Sequence, residues 1–375
     1  MEKVQTIGIV GLGAMGLGIS QVFAQAGFCV VGFDANAAAR ETASQRLAAS
    51  LNTLAGKGKL TNAEVSEALG RFSQSSTYRD LAQADLIIEA IVEDLSAKQS
   101  LFHDLAPVVS PGTIFASNTS SLRIAEIARA VPGPDRVIGL HFFNPAPAMR
   151  LVELIGHPQS SPSVLHKASA IVKATGKIVV RAPDSPGFIV NRCARPFYGE
   201  AFALLEEGRT AKDIDAAMLA RGYRLGPFAL VDLIGADINL AATKGVYAGM
   251  NRHPRYLPFP ALELAVSAGD LGRKSGRGFI FPETVDAKDD PAISDRIEAM
   301  IVNEAAWLRS DSGIATTDID TAVRLGLNFP KGPFEILQTL GKDKVRQTLA
   351  MLHHHARPDL APRYDPAPFL FDPDR

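Results

Sequence analysis

Residues 6–10 form a short apolar run rich in β-branched side chains, and they lead straight into Gly11-Leu12-Gly13-Ala14-Met15-Gly16. An apolar pattern at helical spacing then runs through Ile19, Val22, Phe23 and Ala26 and stops at Gly27. A second apolar run, 29–33, closes on Asp34, eighteen residues past Gly16. Few folds accept this order. The glycines permit a tight turn, close approach of the backbone to a pyrophosphate, and close packing of helix on strand. The helix N-terminus behind them offers N–H groups and the positive end of its dipole to phosphates. A carboxylate at the end of the second strand is placed to accept hydrogen bonds from an adenosine ribose. Together these features predict an α/β Rossmann-type domain that binds a dinucleotide through Gly11, Gly13, Ala14, Met15, Gly16 and Asp34. Ala35 and Asn36 follow the acid, with no arginine immediately after it to hold a 2′-phosphate, so NAD is expected over NADP.

The next residues extend the same pattern. Residues 40–69 are Ala-rich and helical in spacing, broken at Gly56-Lys57-Gly58-Lys59. That basic turn is either a solvated connection between helices or a contact for a phosphate-bearing ligand. Residues 85–92 predict another buried strand with Glu93 at its end, and Lys98 falls in the charged helix that follows. Residues 113–116 predict a further strand, running into Ser117-Asn118-Thr119-Ser120-Ser121. Polar residues at the C-terminal ends of parallel strands point into a ligand crevice. The alternative is that Ser120 or Ser121 caps a helix over 122–130. Residues 177–181 predict the last strand of this part, and 182–187 a domain boundary.

Residues 136–156 read as strand, turn, strand. The run 137–143 is apolar, Asn144-Pro145-Ala146-Pro147 breaks it, and 151–155 restarts it. His141 lies near the end of the first run and Glu153 inside the second. A turn between two strands can bring residues twelve apart side by side. A carboxylate beside an imidazole fixes which ring nitrogen carries the proton and stabilises the charged ring, as a general base acting on an alcohol requires. The alternative is a histidine bonded to a backbone carbonyl and a glutamate on a solvated face.

From Gly187 onward the pattern is helical, and it repeats. Asp-Ile-Asp occurs at 213–215 and 318–320, Gly-Pro-Phe at 226–228 and 332–334, and Arg-Tyr-x-Pro at 255–258 and 363–366. These repeats predict an all-α region of two tandem homologous units, with 282–291 as the linker. Asp295 in the second unit stands near the position that Asn191 holds in the first, and the second has no counterpart of GRKSGRGF, so the first is expected to complete the site.

A net charge of −1 without a basic stripe argues against nucleic acid or an anionic membrane as partner. Two cysteines, Cys29 and Cys193, exclude a disulfide framework and fit a reducing compartment. The opening residues leave no room for a signal or transit peptide before the first strand, and no apolar run is long enough to span a bilayer. A cytoplasmic location is expected. No Cys/His/Asp cluster has metal-ligand spacing, so no metal is expected.

The chain resembles the 3-hydroxyacyl-CoA dehydrogenases. The matching segments are GLGAMG at 11–16, EAIVED at 89–94, SNTSSL at 117–122, GLHFFNPAPAMRLVELI at 139–155, SPGFIVNR at 185–192, GPFALVDLIG at 226–235 and GRKSGRGF at 272–279, in the family's order. The sequence after His141, HFFNP, also differs from that of relatives acting on sugar acids. The resemblance implies a catalytic His141 with Glu153 as its carboxylate partner. It places Ser120 near the substrate oxygen and the cofactor, and Asn191 where it helps hold the substrate carbonyl. It puts Asp34, Glu93, Lys98, Ser120, Asn144 and Lys274 on positions that contact NAD. Ser50 and Lys57 resemble the pair that meets the CoA moiety, whereas a second lysine found nearby in some relatives is Thr53 here, so the grip on CoA is looser or placed elsewhere.

The implied activity is reversible NAD-dependent oxidation of (S)-3-hydroxyacyl-CoA to 3-oxoacyl-CoA, in fatty-acid β-oxidation or related acyl-CoA catabolism. The implied domains are 1–186 for NAD, 187–281 for the first helical copy and 290–375 for a structural second copy. Simple members carry one helical copy and pair through it; a second copy in the same chain implies a monomer with an internal pseudo-dimer, the alternative being a homodimer. The arrangement is also similar to the 3-hydroxyadipyl-CoA dehydrogenases of phenylacetate breakdown. Two other readings stay open, a dehydrogenase of a free hydroxy acid and a non-catalytic NAD-binding protein.

Overall fold

The computed structural model of the chain describes residues 6–372. The expectation about the opening segment rests partly on residues 1–5, which lie outside the described residues. The chain divides into two compact units, 1–184 and 185–375.

The first unit is built on one eight-stranded sheet of order β3-β2-β1-β4-β5-β6-β7-β8. Its strands are β1 (Thr6–Val10), β2 (Cys29–Phe33), β3 (Phe72–Ser75), β4 (Leu86–Glu89), β5 (Ile114–Ser117), β6 (Val137–Phe142), β7 (Leu151–Gly156) and β8 (Ile178–Pro183). Its helices are α1 (Ala14–Gln25), α2 (Ala37–Gly56), α3 (Asn62–Gly70), α4 (Leu95–Leu105), α5 (Ile124–Ala128) and α6 (Pro162–Ala174). β1 to β6 pair in parallel, β7 turns back antiparallel to β6, and β8 runs parallel to β7. Central strands buried on both faces read as unbroken apolar runs, and every residue of β4, β5 and β6 is buried.

Three details depart from the sequence reading. β4 ends at Glu89, so Glu93 stands four residues beyond the strand, on a loop where Val92 is 70% exposed. The edge strand β3 was not foreseen: in Phe72-Ser73-Gln74-Ser75 only the end residues are buried, and neither an apolar run nor alternation marks it. Helix α5 covers only Ile124–Ala128, and its N-cap residue, Arg123, makes no side-chain cap bond. Its N-terminal amides at Ile124 and Ala125 donate to the Asp184 carboxylate at 2.7 and 2.8 Å, so the acid at the foot of this unit does the capping from sixty residues away.

The second unit is helical: α7 (Val190–Glu206), α8 (Ala211–Ala220), α9 (Pro227–Ile234), α10 (Ala236–Gly249), α11 (Pro260–Ala268), α12 (Pro291–Ser312), α13 (Thr316–Leu327), α14 (Pro333–Leu340) and α15 (Lys342–His355). α7 and α12 pack along each other and bury most of their length. Among the described residues, no helix is long and apolar enough to cross a membrane.

Candidate active site

Each glycine of the first turn has a separate physical reason. Gly11 has φ +95°, and a Cβ there would lie 2.5 Å from the Ala90 carbonyl oxygen. A Cβ on Gly16 would lie 1.7 Å from the Gly11 oxygen. Gly13 is different: a Cβ there meets nothing within 4 Å. The first and third glycines are therefore demanded by the protein's own packing, and the second leaves the mouth of α1 open. No side chain caps α1, and its first turn, which starts at Ala14 and Met15, carries no acid. Those N–H groups suit a phosphate. At the end of β2, Asp34 accepts from Leu12 N at 2.7 Å and Asn36 N at 2.8 Å, one bond to each oxygen. A carboxylate oxygen can take more than one donor, so ribose hydroxyls fit as well. The chain thus matches what NAD needs of it. An arginine does lie beside this acid in space: Arg40, on α2, donates through Nη1 to the carbonyls of Asp34 and Ala35 at 2.6 and 3.1 Å.

A buried charge network sits at the ends of β4 and β5. Lys98 is 1% exposed, and its ammonium lies 2.5 Å from Glu89 and 3.2 Å from Glu93. Glu89 also accepts from Ile91 N and from the Ser117 hydroxyl. Glu93 gathers Thr119 Oγ1 at 2.6 Å, Ser120 N at 3.0 Å and the Ser121 hydroxyl at 2.9 Å. Burial would raise the Glu93 pKa, but Lys98 and these donors outweigh it and hold the group below its usual value. Lys98 is therefore placed to fix Glu93, and Glu93 to fix the loop bearing Ser120. Glu89 is a member of this network that the sequence reading missed. The available signal was an acid as last residue of a buried strand, with a lysine one helix turn into the next helix.

The antiparallel pairing of β6 and β7 puts His141 directly opposite Glu153. The His141 Nδ1 lies 2.7 Å from Glu153 Oε2, and both side chains are buried. A carboxylate can only accept, so Nδ1 carries the proton and Nε2 is the basic nitrogen. Asn118, after β5, takes the Phe142 N–H at 2.8 Å and ties the serine loop to the histidine strand.

Asn144 is exposed and lines a cleft of about 470 Å³ together with Ala14, Gln21, Arg46, Ser50 and Thr53. The Ser50 hydroxyl donates to Gln21 at 2.7 Å, and the Thr53 hydroxyl turns back onto the Ala49 carbonyl. Lys57 is exposed at the C-terminal cap of α2. The turn that carries Asn144 is held by a residue that the sequence reading passed over. Lys177 Nζ donates to the carbonyls of Ala146 and Met149 at 2.6 Å each and reaches Pro147 at 3.4 Å.

Two of the expected site residues belong to the second unit. Asn191 sits in the first turn of α7. Lys274 pairs with Asp237. Asp295, one turn into α12, is held by Arg221 at 2.5 Å and Lys344 at 3.2 Å. Among the described residues, no group of His, Cys, Asp and Glu is arranged to hold a metal ion.

Residues 6–185 match the family model for the 3-hydroxyacyl-CoA dehydrogenase NAD binding domain. Residues 187–281 and 293–370 match that for the 3-hydroxyacyl-CoA dehydrogenase C-terminal domain. The chain is 33% identical, over 99% of its length and 97% of the relative's, to 3-hydroxyadipyl-CoA dehydrogenase of Escherichia coli K12. It superposes with a TM-score of 0.91 and 32% identity on the crystal structure of 3-hydroxybutyryl-CoA dehydrogenase from Escherichia coli K12, covering 98% of each chain. It also superposes on (S)-3-hydroxybutyryl-CoA dehydrogenase from Ralstonia eutropha with a TM-score of 0.72 and 40% identity, covering 76% of this chain and all of that one.

Proposed function

The chain belongs to the 3-hydroxyacyl-CoA dehydrogenase family, and from that premise we propose that it interconverts (S)-3-hydroxyacyl-CoA and 3-oxoacyl-CoA with His141 as general acid and base. The observation that carries this reading is the buried 2.7 Å contact between His141 Nδ1 and Glu153, set by strand register rather than by a flexible loop. Bound NAD supplies the acceptor for the C3 hydride. In the oxidising direction, His141 Nε2 takes the proton of the 3-hydroxyl. Glu153 stabilises the imidazolium that forms. In the reverse direction the same nitrogen returns the proton. Ser120 and Asn191, the latter in the motif SPGFIVNR, are the proposed donors to the C3 oxygen as it moves between alkoxide and ketone. Gly11, Gly13, Ala14, Met15, Gly16, Asp34, Glu93, Asn144 and Lys274 are the proposed cofactor contacts, with Lys98 acting through Glu93. Ser50 and Lys57 are assigned to the CoA moiety, and Arg46, in the same cleft wall as Ser50, is a further cation for its phosphates.

The full-length likeness to a 3-hydroxyadipyl-CoA dehydrogenase favours a dicarboxylic acyl group as the second reading. The deciding assay is NADH formation with (S)-3-hydroxybutyryl-CoA, 3-hydroxyadipyl-CoA and free 3-hydroxybutyrate side by side. Turnover of the thioesters alone supports the CoA class, and their ratio reports the acyl group. Turnover of the free acid alone contradicts it.

The helical unit is proposed to hold two copies of one fold in a pseudo-twofold pair. Its contacts come in exchanged sets. Arg192 of α7 meets Glu304 of α12, and Arg296 of α12 meets Glu200 of α7, each at 2.6 Å. Arg255 and the Tyr256 hydroxyl reach Glu304, while Arg363 and the Tyr364 hydroxyl reach Glu200. Asp215 accepts the Phe228 N–H, and Asp320 the Phe334 N–H. Such a pair covers within one chain the face through which a single copy would dimerise, which supports a monomer. Two free cysteines fit a cytoplasmic protein of acyl-CoA catabolism such as β-oxidation.

A further inference from the structure

The exchanged ion pairs of α7 and α12 do not balance. On one side, Arg296 and Arg363 meet Glu200 and Glu207, two cations against two anions. On the other, Arg192 and Arg255 meet Glu304 and Asp311, and a third arginine is added. This is Arg195, one helix turn after Asn191, 5% exposed. It forms no ion pair among the described residues. Its Nε donates to the Asn191 carbonyl at 3.0 Å, and its Nη1 to Thr243 Oγ1 at 2.7 Å and the Asn239 carbonyl at 3.5 Å. Its guanidinium lies 5.1 Å from the Tyr198 ring centre. Every one of these partners is neutral. Burial pulls its pKa down, with no carboxylate to restore it. An arginine does not shed its proton in a protein, so the charge stays and its desolvation is uncompensated.

Beside Arg195 lies a small cavity walled by Tyr198, Asn239, Arg255, Tyr256 and Phe259. About 10 Å³ of it is open to the centre of a water-sized sphere, room for one small occupant. The wall is rich in donors that lack acceptors. Asn239 Nδ2 is buried without a hydrogen-bond partner, as are Arg255 Nε and Nη1. Arg255 Nε does lie 3.3 Å from Glu304 Oε2, but misaligned, and that oxygen is itself unbonded. A water placed here can accept from two of these donors, but it must also place two hydrogens of its own and brings no charge to offset Arg195. A monatomic anion brings no hydrogens, and it supplies the missing negative charge.

We propose that this cavity is a binding site for a small inorganic anion of the chloride class, which neutralises Arg195 and accepts from Asn239 Nδ2 and Arg255 Nη1. Arg195 in turn holds the Asn191 carbonyl, so the anion fixes the first turn of α7. If Asn191 has the role proposed above, chloride also sharpens substrate binding; the site itself does not depend on that role.

The test uses the intact chain and does not read activity. Protein exchanged into sodium gluconate is titrated with sodium chloride at constant ionic strength while its melting temperature is followed. A saturable rise of a few degrees is expected. Crystals grown in bromide should show an anomalous peak between Arg195, Asn239 and Arg255. Asn239→Asp places a carboxylate in the cavity and should abolish the chloride response. Equal melting in the two salts, or a bromide map without a peak at this position, overturns the proposal and leaves a water there. A chloride response that survives in Asn239→Asp does so too. If that variant does not fold, the bromide map of the unmodified chain decides.

Discussion

His141 and Glu153 show how far two residues can be read without a structure. Each lies in a run that forms a strand, the break between them is a short Asn-Pro turn, and strand pairing then leaves almost no freedom in which residue faces which. The buried contact follows from that local geometry. Replacing His141 by Gln removes the only basic nitrogen of the pair while keeping its size and a polar contact to Glu153. Turnover should fall by on the order of 10² to 10⁴ with NAD affinity unchanged, measured by steady-state kinetics and a cofactor titration. Near-normal turnover removes His141 from the chemistry. Lys98 and Arg40 were less legible. The resemblance puts Lys98 on a cofactor-contacting position, and its ammonium is buried between Glu89 and Glu93, a placement that its spacing in the sequence does not reveal. Arg40 sits a helical turn and a half beyond Asp34, and only the fold brings its guanidinium back to that strand end. In both cases the deciding partner is set by tertiary packing, which leaves no local trace.

At the level of elements, the strands buried on both faces were legible and the edges were not. β1, β2 and β6 announce themselves as apolar runs, whereas β3 and the early end of β4 depend on neighbours. The amides that open α5 are met by Asp184 across the unit, sixty residues away, which no local signal announces. The turn 145–149 makes the same point functionally. Three of its carbonyls depend on one ammonium, that of Lys177, which burial makes easier to deprotonate than an ordinary lysine. Lys177→Met keeps the stem and removes the donors. The turn should relax, and its shift should reach Asn144 and the cleft shared with Ser50. A loss of roughly 10-fold or more in kcat/KM is expected, within the range that small misplacements of a site produce. Lys177→Arg, which retains donors and charge, should recover part of it. Equal kcat/KM in wild type and Lys177→Met means the turn holds itself.

At the scale of the whole chain, the α7–α12 pairing of the helical unit has consequences that can be measured. The proposed pairing of two helical copies within one chain takes the place of a partner, and on that proposal light scattering should give a mass near 40.0 kDa across a wide concentration range. A stable mass of twice that value shows that another face is used. The repeats at 213 and 318, 226 and 332, and 255 and 363 were visible in the sequence, but not the exchange of ion pairs between them, because the partners lie about a hundred residues apart. Glu200 tests that exchange. It is fully buried and bonded to Arg296 at 2.6 Å and Arg363 at 3.1 Å. Burial alone would raise its pKa, but the two guanidinium groups overcome that and hold it below the usual carboxylate value. A depressed folded pKa means that its ionised form stabilises the fold above the unfolded value of about 4.3, and that this contribution is lost as pH falls through the lower folded value. Glu200→Gln leaves two buried arginines short of an anion, at a cost of about 3–5 kcal/mol near neutral pH. Urea unfolding of both proteins from about pH 7 down to about pH 3 should show the gap between them narrowing as the wild-type carboxylate takes up its proton. A gap that stays constant with pH assigns the cost to packing and hydrogen bonding and removes the charge of Glu200 from the account of how the helical unit is held together.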